Sequence, residues 1–520
     1  MAGEQRLNAR RRALLQALAA AGLVPGCAHP TRAEIPRFAR DPFALGVAAG
    51  YPGPDGITLW TRLMLDPADA GMAASAIPVR WEIAADAQYH RILTQGSIDA
   101  LPGEAHSVHV DVAGLEPERW YHYRFHSGEA TSRSGRFLTA PAPGTTPAGL
   151  KLAFASCQQY EQGYFAAHRH IAADEPELVV FLGDYIYESS WGRNHVRKHD
   201  APEPYTLADY RARYVLYKRD ADLQAAHAAC AWLVTWDDHE VDNDYANDRP
   251  EDGMPAPAFL ARRAAAYQAY YEHMPLPASM RPRAGALTLH TARDWGRLAR
   301  LHMLDDRQYR SHQACAPAQR GGGSTRVERA ACAELDAPGR SLLGPEQERW
   351  LDNSLADSPA AWNLVGQQTL VAPFADLRNG RHGIWTDGWD GYPAARRRLM
   401  QSLARARNPV VFGGDVHSFH VADLHLDPKD RRTPLVAAEF VATSVTSQGN
   451  TQTRIDAIAA LHPHMKLAEA RYRGYLRVRL TSHRLEAELR ALRSVSSADA
   501  ACDTLASFTV EDGVPGARRT

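Results

Sequence analysis

Four short segments of this 520-residue chain end on side chains that could hold metal ions. "KLAFASC" ends on Cys157, and "LGDYIYE" carries Asp184 and Tyr187. "TWDDHE" carries Asp237, Asp238 and His239, and "GGDVHSF" carries Asp415 and His417. A carboxylate such as Asp184 has two oxygens and can bridge two cations about 3.5–4 Å apart. Thiolate, phenolate and imidazole from Cys157, Tyr187 and His417 are too soft a set for Ca2+ or Mg2+. They favour a transition metal, and phenolate suits Fe3+. Asp184, Asp237 and Asp415 offer oxygen alone, which suits Ca2+ (one or two ions), Mg2+ or Mn2+. The chemistry expected of such a pair is in-line attack on phosphorus. Both cations would draw charge from the phosphoryl oxygens while an acid protonates the leaving alkoxide.

Two other readings use the same residues. Cys157 could be the nucleophile of a thiol hydrolase with His239 or His417 as base, which leaves Tyr187 and the aspartates without a role. The metals could instead be structural, in a cell-envelope binding protein whose exposed histidines His195 and His199 lie in "WGRNHVRKHD".

The elements that must position these residues are dense apolar runs: "KLAFAS", "ELVVFLGD", "AWLVTWD", "LARLHMLD" and "PVVFGGD". Helical stretches such as "PAFLARRAAAYQAYYEHM" alternate with them, which predicts an α/β region with a buried sheet. Several runs end in Cys or Asp, and sites in α/β sheets form at the carboxyl ends of strands. Gly413 and Gly414 allow a tight turn beside a ligand. Upstream, "GITLWTRL", "IPVRWEIA", "HSVHVDVAGL" and "WYHYRFHSG" predict a small antiparallel sandwich of the fibronectin III kind. Boundaries follow: residues 35–142 as the β-sandwich domain, 143–150 as a linker, 151–500 as the large domain and 501–520 as a polar tail.

Residues 1–34 carry Arg10, Arg11 and Arg12, a short apolar run and small residues, the layout of a twin-arginine export signal. Cys27 is a possible lipidation site. Export places the protein in the periplasm or outside the cell, an oxidising compartment that allows Cys315 to pair with Cys332 and Cys230 with Cys502. With 59 basic and 60 acidic residues, nothing suggests a nucleic-acid partner. No run is long enough to span a membrane. "DNDYANDRPED" fails the EF-hand pattern and is expected to be a solvated loop.

In order and wording, "FASCQ", "GDYIYE", "WDDHEV", "LDDRQYR", "GDVHSF" and "EFVATSVTS" resemble the alkaline phosphatase D family of calcineurin-like metallophosphoesterases. "FALGVAAGYPGPDGITLWTRL" is similar to that family's N-terminal domain. The resemblance implies a metallophosphoesterase β-sandwich flanked by helices, preceded by a small all-β domain. It implies phosphomonoesterase or phosphodiesterase activity on small phosphate esters. It also implies Fe3+ held by Cys157, Asp184, Tyr187 and His417, with Ca2+ held by Asp184, Asp237 and Asp415. Asp238 is then a second ligand or a proton donor, and His239 stabilises the leaving oxygen. Arg263, with Arg262 and Arg307 as alternatives, is expected to grip the phosphate through bidentate hydrogen bonds. Asp305 is expected to orient Arg307.

Overall fold

The computed structural model describes residues 36–317, 322–378, 381–428 and 430–520. The expected export signal and Cys27 lie outside the described residues. Phe38–Thr520 forms one compact unit.

Two large sheets make its centre. The first has ten strands, with Leu150–Ala155, Leu178–Leu182 and Ala231–Thr235 running parallel in its middle. In the second, of seven strands, Ala299–Met303, Trp362–Gly366, Pro409–Gly413 and Leu435–Val441 run parallel. Every residue of Leu178–Leu182, Ala231–Thr235, Trp362–Gly366 and Pro409–Gly413 is buried. This is why these segments read as unbroken apolar runs: a strand covered on both faces has no polar side to alternate with.

The sheets meet face to face. Phe154 of the first stacks on Phe412 of the second with ring centroids 3.8 Å apart and planes at 6°. Removing such a ring would cost about 3–5 kcal/mol. Helices cover the outer faces. Leu351 and Leu355 of Pro345–Ala356, with Leu399 and Met400 of Pro393–Leu403, share a core with Val365 and Val411 of the second sheet. The architecture is therefore a β-sandwich flanked by helices, with an all-β portion at its N-terminal side.

Part of that N-terminal portion continues the large sheet. Val47–Gly50 pairs in parallel with Ala231–Thr235, and Ile57–Arg62 and Ser107–Val112 follow it outward. Ile77–Ala84, Ile92–Ala100, Trp120–Ser127, Ala130–Thr131 and Gly135–Leu138 form a separate five-stranded sheet.

At the other edge, Cys502–Glu511 and Val514–Arg519 are strands of the first sheet, where a polar tail was expected. From Leu505 on, Cys502–Glu511 alternates half-buried and buried positions, and a half-wet edge strand looks polar in sequence. Cys315 and Cys332 form a disulfide, whereas Cys230 and Cys502 are free. The expected second bridge is absent for a reason of distance. Four strands separate the two strands beside these cysteines, roughly 24 Å at a strand spacing of about 4.8 Å, and a disulfide reaches no more than about 7 Å between Cα atoms.

Candidate metal centre

Cys157, Asp184, Asp237 and Asp415 each follow the carboxyl end of a central strand by one or two residues. Cys157 (φ 60°), Asp184 (φ 57°), Asp415 (φ 61°) and His417 (φ 53°) all adopt left-handed backbone conformations. Residues other than glycine enter that region at a cost, and such strain gathers at functional sites. The turns are also crowded. A Cβ on Gly183 would lie 2.6 Å from the Cβ of Asp237, and one on Gly413 would lie 2.1 Å from the Thr369 carbonyl oxygen. Only glycine lets these ligand-bearing turns approach so closely.

The side chains converge. Ligand atoms of Cys157, Asp184 and His417 lie within 4.8 Å of one another, as do those of Asp184, Asp238 and His239. The Tyr187 hydroxyl donates to Asp184 Oδ2 at 2.8 Å, lies 3.3 Å from His417 Nε2 and accepts from Ser447 at 2.7 Å. His417 Nδ1 donates to the Gln448 carbonyl at 2.6 Å, which leaves Nε2 with a free lone pair on the Tyr187 side. Thr369 donates to Asp415 Oδ2 at 2.7 Å.

Residues 152–489 match the sequence model of the PhoD-like phosphatases, and residues 27–141 match that of their N-terminal domain. The chain belongs to the PhoD-like phosphatase family. It is 44% identical to alkaline phosphatase D of Bacillus subtilis (strain 168) over 497 residues, 93% of this chain and 83% of that protein. A solved structure of PhoD superposes with a TM-score of 0.87 at 43% identity, covering 93% of each chain.

In this PhoD-like chain the convergent residues fit bound cations. Asp184 Oδ1 and Asp237 Oδ2 are buried with no hydrogen-bond partner, a costly state for a carboxylate unless a cation takes the lone pair. Burial, together with the nearby Asp184 carboxylate, pushes the Cys157 thiol well above its usual range. Burial also raises Asp184 and Asp237, and brings Asp415 up to about 6. Burial outweighs the countercharge within reach, Arg307 for Asp237 and Asp415 and His239 for Asp184, and bound cations would oppose every one of those shifts. A fully buried thiol with a raised pKa is a poor free nucleophile, which counts against the thiol-hydrolase reading.

The close groups leave out Asp237 and Asp415. Asp237 Oδ1 forms an ion pair with Arg307, and Asp237 is absent from the close groups in which Asp184 and Asp238 stand together. Burial disfavours the Asp238 carboxylate, but Arg307 and His239 outweigh it and hold its pKa below the usual range. Burial likewise opposes a charged His239, yet Glu188, 2.7 Å from Nδ1, and Asp238 raise its pKa well above normal.

The arginines are already engaged. Arg262 pairs with Asp242 at 2.9 Å and Glu203 at 2.6 Å. Arg263 donates to the Asn247 backbone carbonyl at 2.7 Å and to its side chain at 3.3 Å, and none of its hydrogen bonds goes to an expected ligand. Arg307 is fully buried and also meets Asp387 at 2.8 Å and Asp238 at 3.6 Å. Asp305 accepts the backbone N–H groups of Arg307 and Gln308 at 3.1 and 3.0 Å, so it fixes the turn rather than the guanidinium.

Two further expectations change. Asp242, in the supposed solvated loop, is buried, and Asp244 lies with Asp238 and Asp387 in a third close group of acids. His199, read as exposed, is buried 3.0 Å from the Tyr217 hydroxyl. Asp387, Thr369, Gln448, Glu240 and Ser447 join the site without a sequence signal of their own.

Proposed function

We propose that this chain, a phosphoric ester hydrolase by family, cleaves phosphate esters at a buried centre where at least two cations share Asp184. One observation carries the reading: Asp184 keeps an unpartnered buried oxygen between the Cys157–Tyr187–His417 side and the Asp238–His239 side. On the first side Cys157, Asp184, Tyr187 and His417 would hold a transition metal, with Fe3+ favoured by the phenolate and thiolate. On the second, Asp184, Asp237 and Asp415, with Asp238 beside them, would hold Ca2+, Mg2+ or Mn2+. Asp238, Asp244 and Asp387 would provide for a second Ca2+. When bound, such cations supply Lewis acidity, neutralising phosphoryl charge and acidifying water.

The remaining work falls to the chain. Glu188 fixes His239 through Nδ1, so Nε2 can hold the proton that the leaving oxygen needs. Arg307 balances Asp237, Asp238 and Asp387, which limits the repulsion an anionic ester meets. Trp191 stacks on His417 with centroids 5.9 Å apart and forms part of the wall on that side.

The Cys315–Cys332 disulfide fits the export expected from residues 1–34. No helix among the described residues is long and apolar enough to cross a membrane.

The test is Asp184→Asn. Purified variant and wild type would be compared for metal content and for hydrolysis of 4-nitrophenyl phosphate and bis(4-nitrophenyl) phosphate. The variant should lose metal and both activities by at least about a hundredfold. A variant that keeps either activity at the wild-type rate overturns the reading.

A further inference from the structure

The centre opens on two chambers that share Trp191, Asp415 and His417. Their volumes are about 470 and 460 Å3, each within the range of small-molecule sites. Their walls differ in kind. Glu203, Asp242, Glu251 and Asp252 line the first, beside Asp238 and His239. Leu370, Phe374, Trp385, Ile455 and Ile458 form one wall of the second, whose polar lining includes Arg326, Asp390 and Arg454.

The apolar wall has a structural origin. Ile455 and Ile458 stand three residues apart on the helix Gln452–Ala459 and therefore share one face. That helix begins at Thr451, whose side chain accepts the Arg454 N–H. Arg454 pairs at 3.3 Å with Asp376, which also pairs with Arg326. The Arg326 guanidinium lies 5.6 Å above the Trp385 ring. The cations of this chamber are thus tied to a carboxylate and an aromatic face, and an uncharged group entering it leaves no buried charge unpaired.

Phosphate itself has no use for such a wall, and an acidic chamber repels any further anion. We propose that the apolar chamber is a subsite for the retained arm of a phosphodiester whose arm is aryl or similarly compact and apolar. The inference rests on the phosphoesterase reading above. His239 borders the acidic chamber, so the leaving oxygen takes its proton there and the freed alcohol departs on that side. In the reaction the oxygen of water bonds to phosphorus, and the bond from phosphorus to the leaving oxygen breaks with its electron pair. One proton of water is passed to that oxygen. The product left at the centre is a phosphomonoester still carrying the apolar arm between Phe374 and Ile455.

The experiment uses the metal-loaded enzyme and two diesters with one leaving group, phenyl 4-nitrophenyl phosphate and methyl 4-nitrophenyl phosphate. The monoester 4-nitrophenyl phosphate serves as reference. After division by each ester's rate with free hydroxide, kcat/KM should favour the phenyl diester by about tenfold or more, chiefly through KM. Trp385→Ala, at a 42% exposed position, and Ile455→Ser, at a buried one, should each bring that ratio toward one. A wild-type ratio near one, or a ratio that survives both substitutions, overturns the subsite. Cleavage of the monoester alone also overturns it while the phosphoesterase reading stands. Cleavage of none of the three sinks that reading first.

Discussion

Glu240 holds Asp184 by its backbone: one carboxylate oxygen of Glu240 accepts the Asp184 N–H at 3.1 Å. The same oxygen accepts the Asp237 N–H at 2.9 Å, and the other accepts the Tyr185 N–H at 2.7 Å. One buried carboxylate thus clamps two strand-end turns that bear expected ligands. An amide cannot replace it, because one of its ends would set a donor against a donor. Glu240→Gln should reduce bound metal and hydrolysis together by about 10–100-fold, as loss of a group that orients metal ligands commonly does. Elemental analysis of the folded variant checks this, and a full metal complement would refute the clamp.

Several buried histidines contribute to acid sensitivity, and His109, outside the close ligand groups, is one of them. His109 is buried and stacks on Tyr271 with centroids 4.3 Å apart. Its Nε2 donates to the carbonyl oxygens of Tyr271 and Met274 at 2.9 and 3.1 Å. Burial lowers its pKa from the ordinary 6.5 to about 4. As pH falls the unfolded chain therefore takes up the proton first. Stability present above pH 6.5 is lost between there and about pH 4, up to about 3 kcal/mol for this group. His109→Gln keeps a donor and removes the titration, so its denaturation midpoint should fall less than that of wild type between pH 7 and 4.5. Parallel profiles would contradict the assignment.

The bridge between Cys315 and Cys332 closes a loop with a sequence separation of 17. Loops of that length gain about 2–4 kcal/mol from cross-linking. A reducing agent should therefore lower the thermal midpoint of wild type and leave that of a Cys315→Ser/Cys332→Ser variant where it already lies. Equal response of the two proteins would show that the bridge contributes nothing.

Most of the expected ligands have a sequence signal because they follow a densely buried apolar run, such as Leu178–Leu182 before Asp184. An apolar run stopping on a metal-capable side chain is a local signal. Asp387 has no such signal, since it sits in "IWTDGWDG" and gains meaning only when Arg307 and Arg310 fold against it. Sequence likewise does not show that Arg263 donates to Asn247 or that Arg307 pairs with Asp237, Asp238 and Asp387. Non-local pairing hid the rest: nothing in "VAAG" announces that Val47–Gly50 will extend a sheet whose next strand is Ala231–Thr235. The alternation in Cys502–Glu511 was present in the sequence, but at a half-wet edge it reads as polarity.

The proposed chemistry requires unlike cations meeting at Asp184, with sulfur on one side. X-ray absorption combined with elemental analysis of the purified, active protein tests this directly. The predicted result is at least two cations per chain, one a transition metal with a sulfur neighbour that disappears in Cys157→Ser. A fully active protein free of metal, or a transition metal surrounded only by oxygen and nitrogen, would contradict it.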